Sequence, residues 1–169
     1  MSTDEMPADP VVQIVDQWAR QRPDLDASPI LVVGRIARVD AKLEAALRPP
    51  FEAEGLANGD FDVLAALRRA GEASALRPAE LSRALLVTTG AITKRLHRLE
   101  QRDLVRRDSD GVDDGRGKLV RLTPAGRRLV DRLLPTHLAN EDRLLAALNP
   151  DERARLAELL ARLDASLTG

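Results

Sequence analysis

Between Thr88 and Gln101 the chain places Gly90, Lys94, His97 and Gln101 on one side of a helix at 100° per residue, with Thr93 and Arg98 flanking them. That face offers hydrogen-bond donors, a positive charge and a small residue where another surface can approach, which is what base edges and phosphates require. The start, Thr88-Thr89-Gly90, adds an N-cap hydroxyl and backbone amides suited to a phosphate. Ile92, Leu96 and Leu99 cluster on the opposite side and must face a core. Arg95 fits neither face. It projects beside the apolar stripe and needs an internal acidic partner or a bound anion.

A second constellation follows at once. The β-prone runs Leu104-Val-Arg-Arg107 and Lys118-Leu-Val-Arg-Leu122 bracket the charged turn Asp110-Gly-Val-Asp-Asp-Gly-Arg-Gly117, the pattern of a hairpin. Asp114 lies two residues from Arg116, so its carboxylate can hold the guanidinium at the tip, where an Arg suits a narrow minor groove. The same loop fails as a phosphate-binding P-loop, because the Gly111 to Gly117-Lys118 spacing is one residue too long and Leu119 stands where a magnesium-binding hydroxyl belongs. It fails as a calcium loop too: Gly111 is misplaced and Leu119 occupies the bidentate Glu position. The chain holds 2 His and no Cys, and neither G-x-S-x-G nor H-E-x-x-H occurs, so the residues do not describe an enzyme, a thiol sensor or a metal site. No cofactor is called for.

These groups must be positioned by helices. The segment Pro78 to Leu85 reads as a helix, followed by a four-residue turn and the Thr88 to Gln101 helix; with the hairpin this is the order of a winged helix-turn-helix. Upstream, Asp9 caps a helix over Pro10 to Arg20 that carries Val11, Ile14, Val15 and Trp18. A second helix runs from about Ser28 to Leu47 and stops at Pro49-Pro50, and a third follows the cap candidate Asn58 and ends at Gly71. Downstream, Thr123-Pro124 opens a helix toward His137 with Pro135 as a point of interruption, and Asn149-Pro150-Asp151-Glu152 opens the last one. The leucine stripes at both ends exceed what a small winged domain needs to cover. They read as a dimerisation module in which both termini pack together and against a partner subunit, against the alternative of an intramolecular bundle.

The fold class is therefore mainly α with a small β-wing. The expected organisation is a flexible N-terminus over 1–9, N-terminal dimerisation helices over 10–57, the winged helix-turn-helix over 58–122 and C-terminal dimerisation helices over 123–169. A length of 169 residues with 44% hydrophobic content suits one ordinary core, and with a single Trp and two Phe that core must be aliphatic. The formal net charge of −1 conceals an asymmetry: Leu76 to Arg128 carries 13 Lys and Arg against 7 Asp and Glu, so a polyanion is drawn to the middle of the chain. The acidic, proline-containing first ten residues do not resemble a secretory signal, and no apolar run approaches membrane-spanning length, which leaves a cytoplasmic protein as the expectation.

Taken together, Phe61-Asp-Val-Leu-Ala-Ala-Leu-Arg-Arg69, Leu81-Ser-Arg-Ala-Leu85, Thr88-Thr-Gly-Ala-Ile-Thr-Lys-Arg-Leu-His-Arg-Leu-Glu100, Leu104-Val-Arg-Arg107, Asp114-Gly-Arg-Gly117 and Leu122-Thr-Pro-Ala-Gly126 resemble the MarR family of bacterial transcription regulators. The resemblance implies a homodimer whose two winged domains read a pseudo-palindromic operator, usually as a repressor relieved by a small ligand. Lys94 stands where many relatives have Asn, which bears on base preference. Its DNA-contacting set would be Thr88, Thr89, Gly90, Thr93, Lys94, His97, Arg98 and Arg116. A narrower resemblance, to a subgroup responsive to urate and related small anions, matches Trp18 in an extra N-terminal helix, Asp62, Arg95 and Arg107. It implies that an anion entering between Arg95 and Arg107 disturbs Asp62, the acidic partner Arg95 lacks, and tilts the recognition helix. In the other reading Trp18 fills the core and Asp62 and Arg95 form an internal ion pair. Two further classes remain beside this one: a winged-helix module for protein interaction, and a constitutive DNA-binding protein without an effector. A steep loss of affinity with salt distinguishes DNA binding.

Overall fold

The computed structural model describes residues 9–71, 75–108 and 119–167, which form eight helices and one two-stranded antiparallel sheet. Its contacts divide the chain into two compact units, residues 1–46 and 47–169.

The first unit is helical. α1 (Pro10–Gln21) starts with Pro at its first turn, and the Asp9 carboxylate accepts a 2.9 Å hydrogen bond from the Val11 amide. The other Asp9 oxygen takes Arg35 from α2 (Ile30–Leu47) at 2.5 Å. The Val11 amide and then the Arg35 guanidinium hold the Asp9 carboxyl below the usual carboxylate range. Val11 is buried where α1 meets α2 because Gly34 carries no side chain: a Cβ there would stand 3.2 Å from Val11 Cγ1. Little else of this unit is covered. Ile14, Trp18, Val32, Val33, Ile36 and Val39 are all exposed.

In the second unit the Pro49-Pro50 pair both ends α2 and opens a short helix that the sequence pattern does not reveal, α3 (Pro49–Ala53), since Pro is favourable at a first helical turn. α4 (Asp60–Arg69) is the centre of the core. Its Phe61, Val63, Leu64 and Leu67 pack with Leu81 of α5 (Pro78–Ala84), with Ile92, Leu96 and Leu99 of α6 (Thr89–Gln101), and with Leu129, Val130 and Leu133 of α7 (Pro124–Leu144). Phe51 stacks on Phe61 at 4.4 Å, and the His137 ring meets Phe61 edge-on at 5.2 Å, which ties α3 to α4 and α7.

β1 (Val105–Asp108) and β2 (Leu119–Leu122) pair in the register Val105↔Leu122, Arg106↔Arg121, Arg107↔Val120 and Asp108↔Leu119. Val105 and Val120 turn inward, and Leu76 adds an isolated bridge to Val120. Gly126 lets α7 lie directly on the backbone of Leu104, where any Cβ would collide with the carbonyl. α7 does not break at Pro135. It continues to Leu144, anchored by Leu129, Val130 and Leu133 before the proline and the His137 stack after it. Finally, α8 (Pro150–Leu167) buries no residue within its own chain, and Leu156, Leu159, Leu160 and Leu163 are exposed. No helix among the described residues is long and apolar enough to cross a membrane.

Candidate nucleic-acid interface and effector site

The helix-turn-helix is set by local hydrogen bonds. Glu80 in the first turn of α5 accepts from the Arg77 amide at 2.6 Å, and Ser82 Oγ donates to the Val87 carbonyl at 2.5 Å across the turn. Leu86 takes φ +52°, a left-handed conformation that turns the chain between the helices. The Thr88 hydroxyl then caps α6 by accepting from the Ala91 amide at 3.2 Å.

On α6, Ile92, Leu96 and Leu99 are fully buried, which fixes the helix's rotation. Thr89, Gly90, Thr93, Lys94, His97 and Gln101 are consequently exposed. The Thr93 hydroxyl donates to the Thr89 carbonyl at 2.9 Å, so its oxygen remains an acceptor. The Gln101 amide nitrogen lies 3.0 Å from His97 Nε2, which pairs two groups able to read hydrogen-bonding edges. A Cβ on Gly90 would meet nothing within 4 Å, so this end of the face is open to close approach. The wing tip lies outside the described residues, and with it Arg116 and Asp114.

The sequence pattern places Arg98 at the groove and offers Asp62 as the partner of Arg95, whereas the structure pairs Arg98 with Asp60. Arg98 Nη2 and Nε reach the two Asp60 oxygens at 2.6 and 3.3 Å, and the carboxylate also accepts from the Ala57 amide at 3.0 Å. Asp60 is 2% exposed. Asp62 lies two residues further on, about 200° around α4, and is therefore exposed; among the described residues it has no ion-pair partner.

Arg95 is half-buried over the N-terminus of α4, where its Nη1 lies 3.4 Å from the Gly59 carbonyl. Gly59, rather than Asn58, is the cap residue of α4, with φ +77°. The left-handed backbone favours glycine there, and a Cβ would also fall on the Arg95 guanidinium, which would have to move aside.

Arg107 turns from β1 toward α6, where Glu100 takes its Nη2 at 3.1 Å. Its Nε is buried with no hydrogen-bond partner among the described residues. No hydrogen bond or ion pair links Asp62 to either Arg95 or Arg107. Trp18 belongs to the N-terminal unit and is half-exposed there. Sequence reasoning missed Asp60, Gly59, Glu100 and also Arg102, which anchors the end of α6 to the Gly55 and Glu54 carbonyls at 2.6 and 2.7 Å. The Gly at a helix start was the one visible signal.

The chain is similar in sequence and fold to known proteins. A MarR family model matches residues 54–117. The HTH-type transcriptional regulator PecS of Dickeya dadantii is 37% identical over 158 residues, 93% of this chain and 94% of its own. Among solved structures, an Escherichia coli MarR mutant complexed with operator DNA is 28% identical with a TM-score of 0.70, covering 86% of this chain and 96% of that one. BpsR of Bordetella bronchiseptica, whose DNA binding is regulated by 6-hydroxynicotinic acid, is 26% identical with a TM-score of 0.68, covering 78% of this chain and 93% of that one. With an exposed polar face on α6, a two-stranded sheet after it and 37% identity to PecS over 93% of the chain, the chain belongs to the MarR family of DNA-binding transcription regulators.

Proposed function

We propose that this regulator is a repressor which binds a pseudo-palindromic operator as a homodimer and is released by a small anionic, aromatic effector. The effector reading rests on Arg107, a half-buried guanidinium whose buried Nε donor has no acceptor among the described residues. An unmade buried hydrogen bond of this kind costs about 1–3 kcal/mol, which a carboxylate or urate oxygen at that nitrogen would recover. Arg95 offers a second half-buried cation on the recognition helix itself, so an anion that recruits it changes how α6 is held. The exposed leucines of α8 and the uncovered apolar residues of α2 support dimerisation through the terminal helices. The BpsR comparison supports an aromatic acid as the effector class.

The test is operator release followed by fluorescence anisotropy, with urate and 6-hydroxynicotinate as probes. Arg107→Gln should keep effector-free DNA affinity within about three-fold while weakening the effector response about ten-fold or more, the scale of one charge-assisted hydrogen bond. The sequence resemblance adds Trp18, for which Trp18→Phe should weaken the response without lowering DNA affinity. An unaltered response in both variants would refute the effector assignment while leaving DNA binding intact.

A further inference from the structure

Away from Arg107, on the outer face of the hairpin, lies a cleft of about 190 Å³ that the DNA-reading face does not account for. Four guanidinium-bearing residues from four elements wall it: Arg68 at the end of α4, Arg106 on β1, Arg121 on β2 and Arg127 in the first turn of α7. Leu67 and Leu122 form its apolar part, and no acidic or aromatic residue lines it among the described residues. Arg106 and Arg121 are direct partners in the ladder, an arrangement of like charges that is unfavourable in a sheet unless something shields it. Asp108 does so, reaching both Nε atoms at 3.3 Å, Asp131 pairs with Arg68 at 2.7 Å, and Arg127 has a partner too. Neither carboxylate is on the cleft wall.

We propose that this cleft binds a phosphate-bearing anion. Planar guanidinium forks match phosphate oxygens, and several converging ones suit a group with charge on every oxygen better than a single carboxylate. A cleft of this volume has room for a mono- or diphosphate. The absence of an aromatic wall means recognition by charge rather than by ring stacking. The cleft uses neither Arg95 nor the inward-facing Arg107, so it stands apart from the effector proposal. The phosphate has two sources, a free phosphorylated small molecule or the backbone of bound DNA, and one experiment with two arms tells them apart.

In the first arm inorganic pyrophosphate is titrated calorimetrically onto the full-length, DNA-free protein and onto Arg106→Gln, Arg127→Gln and Arg69→Gln. Arg69 is an exposed α4 neighbour that does not line the cleft. In the second, operator affinity is measured against salt for the same proteins. A free anion requires one pyrophosphate per chain, weakened about ten-fold or more by Arg106→Gln and Arg127→Gln and by less than about two-fold in Arg69→Gln. DNA as the source requires the salt slope to fall by about one in the two cleft variants. The Arg106 side chain is 63% exposed, so Arg106→Gln keeps the fold and remains interpretable even if Arg127→Gln does not. Two results overturn the proposal: wild-type protein that binds no pyrophosphate while the cleft variants keep the wild-type salt slope, or pyrophosphate binding that changes equally in all three variants.

Discussion

Removing the Asp60 carboxylate should loosen the recognition helix without touching its DNA-facing side. Asp60 is 2% exposed and receives Arg98 through two nitrogens, at 2.6 and 3.3 Å, together with the Ala57 amide at 3.0 Å. Breaking a fully buried ion pair costs about 3–5 kcal/mol. The Arg98 side chain, however, is 32% exposed and can recover water, so the cost to Asp60→Ala falls to about 2–3 kcal/mol. For a chain of this size that corresponds to a lowering of Tm by about 5–10 °C. The assay is thermal unfolding by circular dichroism at fixed protein concentration for Asp60→Ala, Arg98→Ala and the double variant, since the proposed dimerisation would make Tm concentration-dependent. The double variant should be less destabilised than the sum of the singles by about 1–2 kcal/mol. Operator affinity of the folded single variants should fall together, because both act through the seating of α6. If Arg98→Ala weakens DNA binding while Tm is unchanged, and Asp60→Ala does neither, Arg98 is a phosphate ligand and the pair is incidental.

Gly59→Ala should destabilise the protein by about 1–2 kcal/mol from its left-handed backbone alone and should also displace Arg95, so unfolding and effector response shift together; an unchanged Tm would contradict the left-handed strain, and an unchanged effector response the close approach. Lys94→Ala should alter relative preference among operator variants, whereas Arg116→Ala should weaken all of them similarly, as binding to a panel of single-base substitutions would show. Equal, sequence-independent losses would mean that Lys94 touches only phosphate. Because Asp9 titrates below the usual carboxylate range, its support of α1 is present above the unfolded value near 4 and is lost as pH falls through the lower folded value. Asp9→Asn should therefore remove part of the acid-side stability loss, read from unfolding curves between about pH 2 and 5.

Where the answer depended on neighbours in sequence, it was legible in advance. The stripe of Ile92, Leu96 and Leu99, the caps at Asp9, Thr88 and Thr123, and the strand pair around the wing follow from periodicity and capping chemistry. The site was less legible. Helical spacing says which side of α6 carries Arg95 and Arg98, but not which carboxylate of α4 faces it; that depends on how the two helices cross, and it selected Asp60 over Asp62. Pro49-Pro50 signalled a stop while also being a start, and Pro135 signalled a break that tertiary contacts overrule. The four cleft arginines come from residues 68 to 127 and are brought together only by the fold.

Whether the exposed face of α6 reads a two-fold operator that an anion releases is decided by footprinting the purified protein on the DNA flanking its own gene, across a salt series and with and without urate or 6-hydroxynicotinate. Two protected half-sites are expected about one helical turn, or a multiple of it, apart, with log affinity falling linearly in log salt and protection lost on adding the effector. Protection no stronger than on random DNA, or binding indifferent to salt, would contradict this reading.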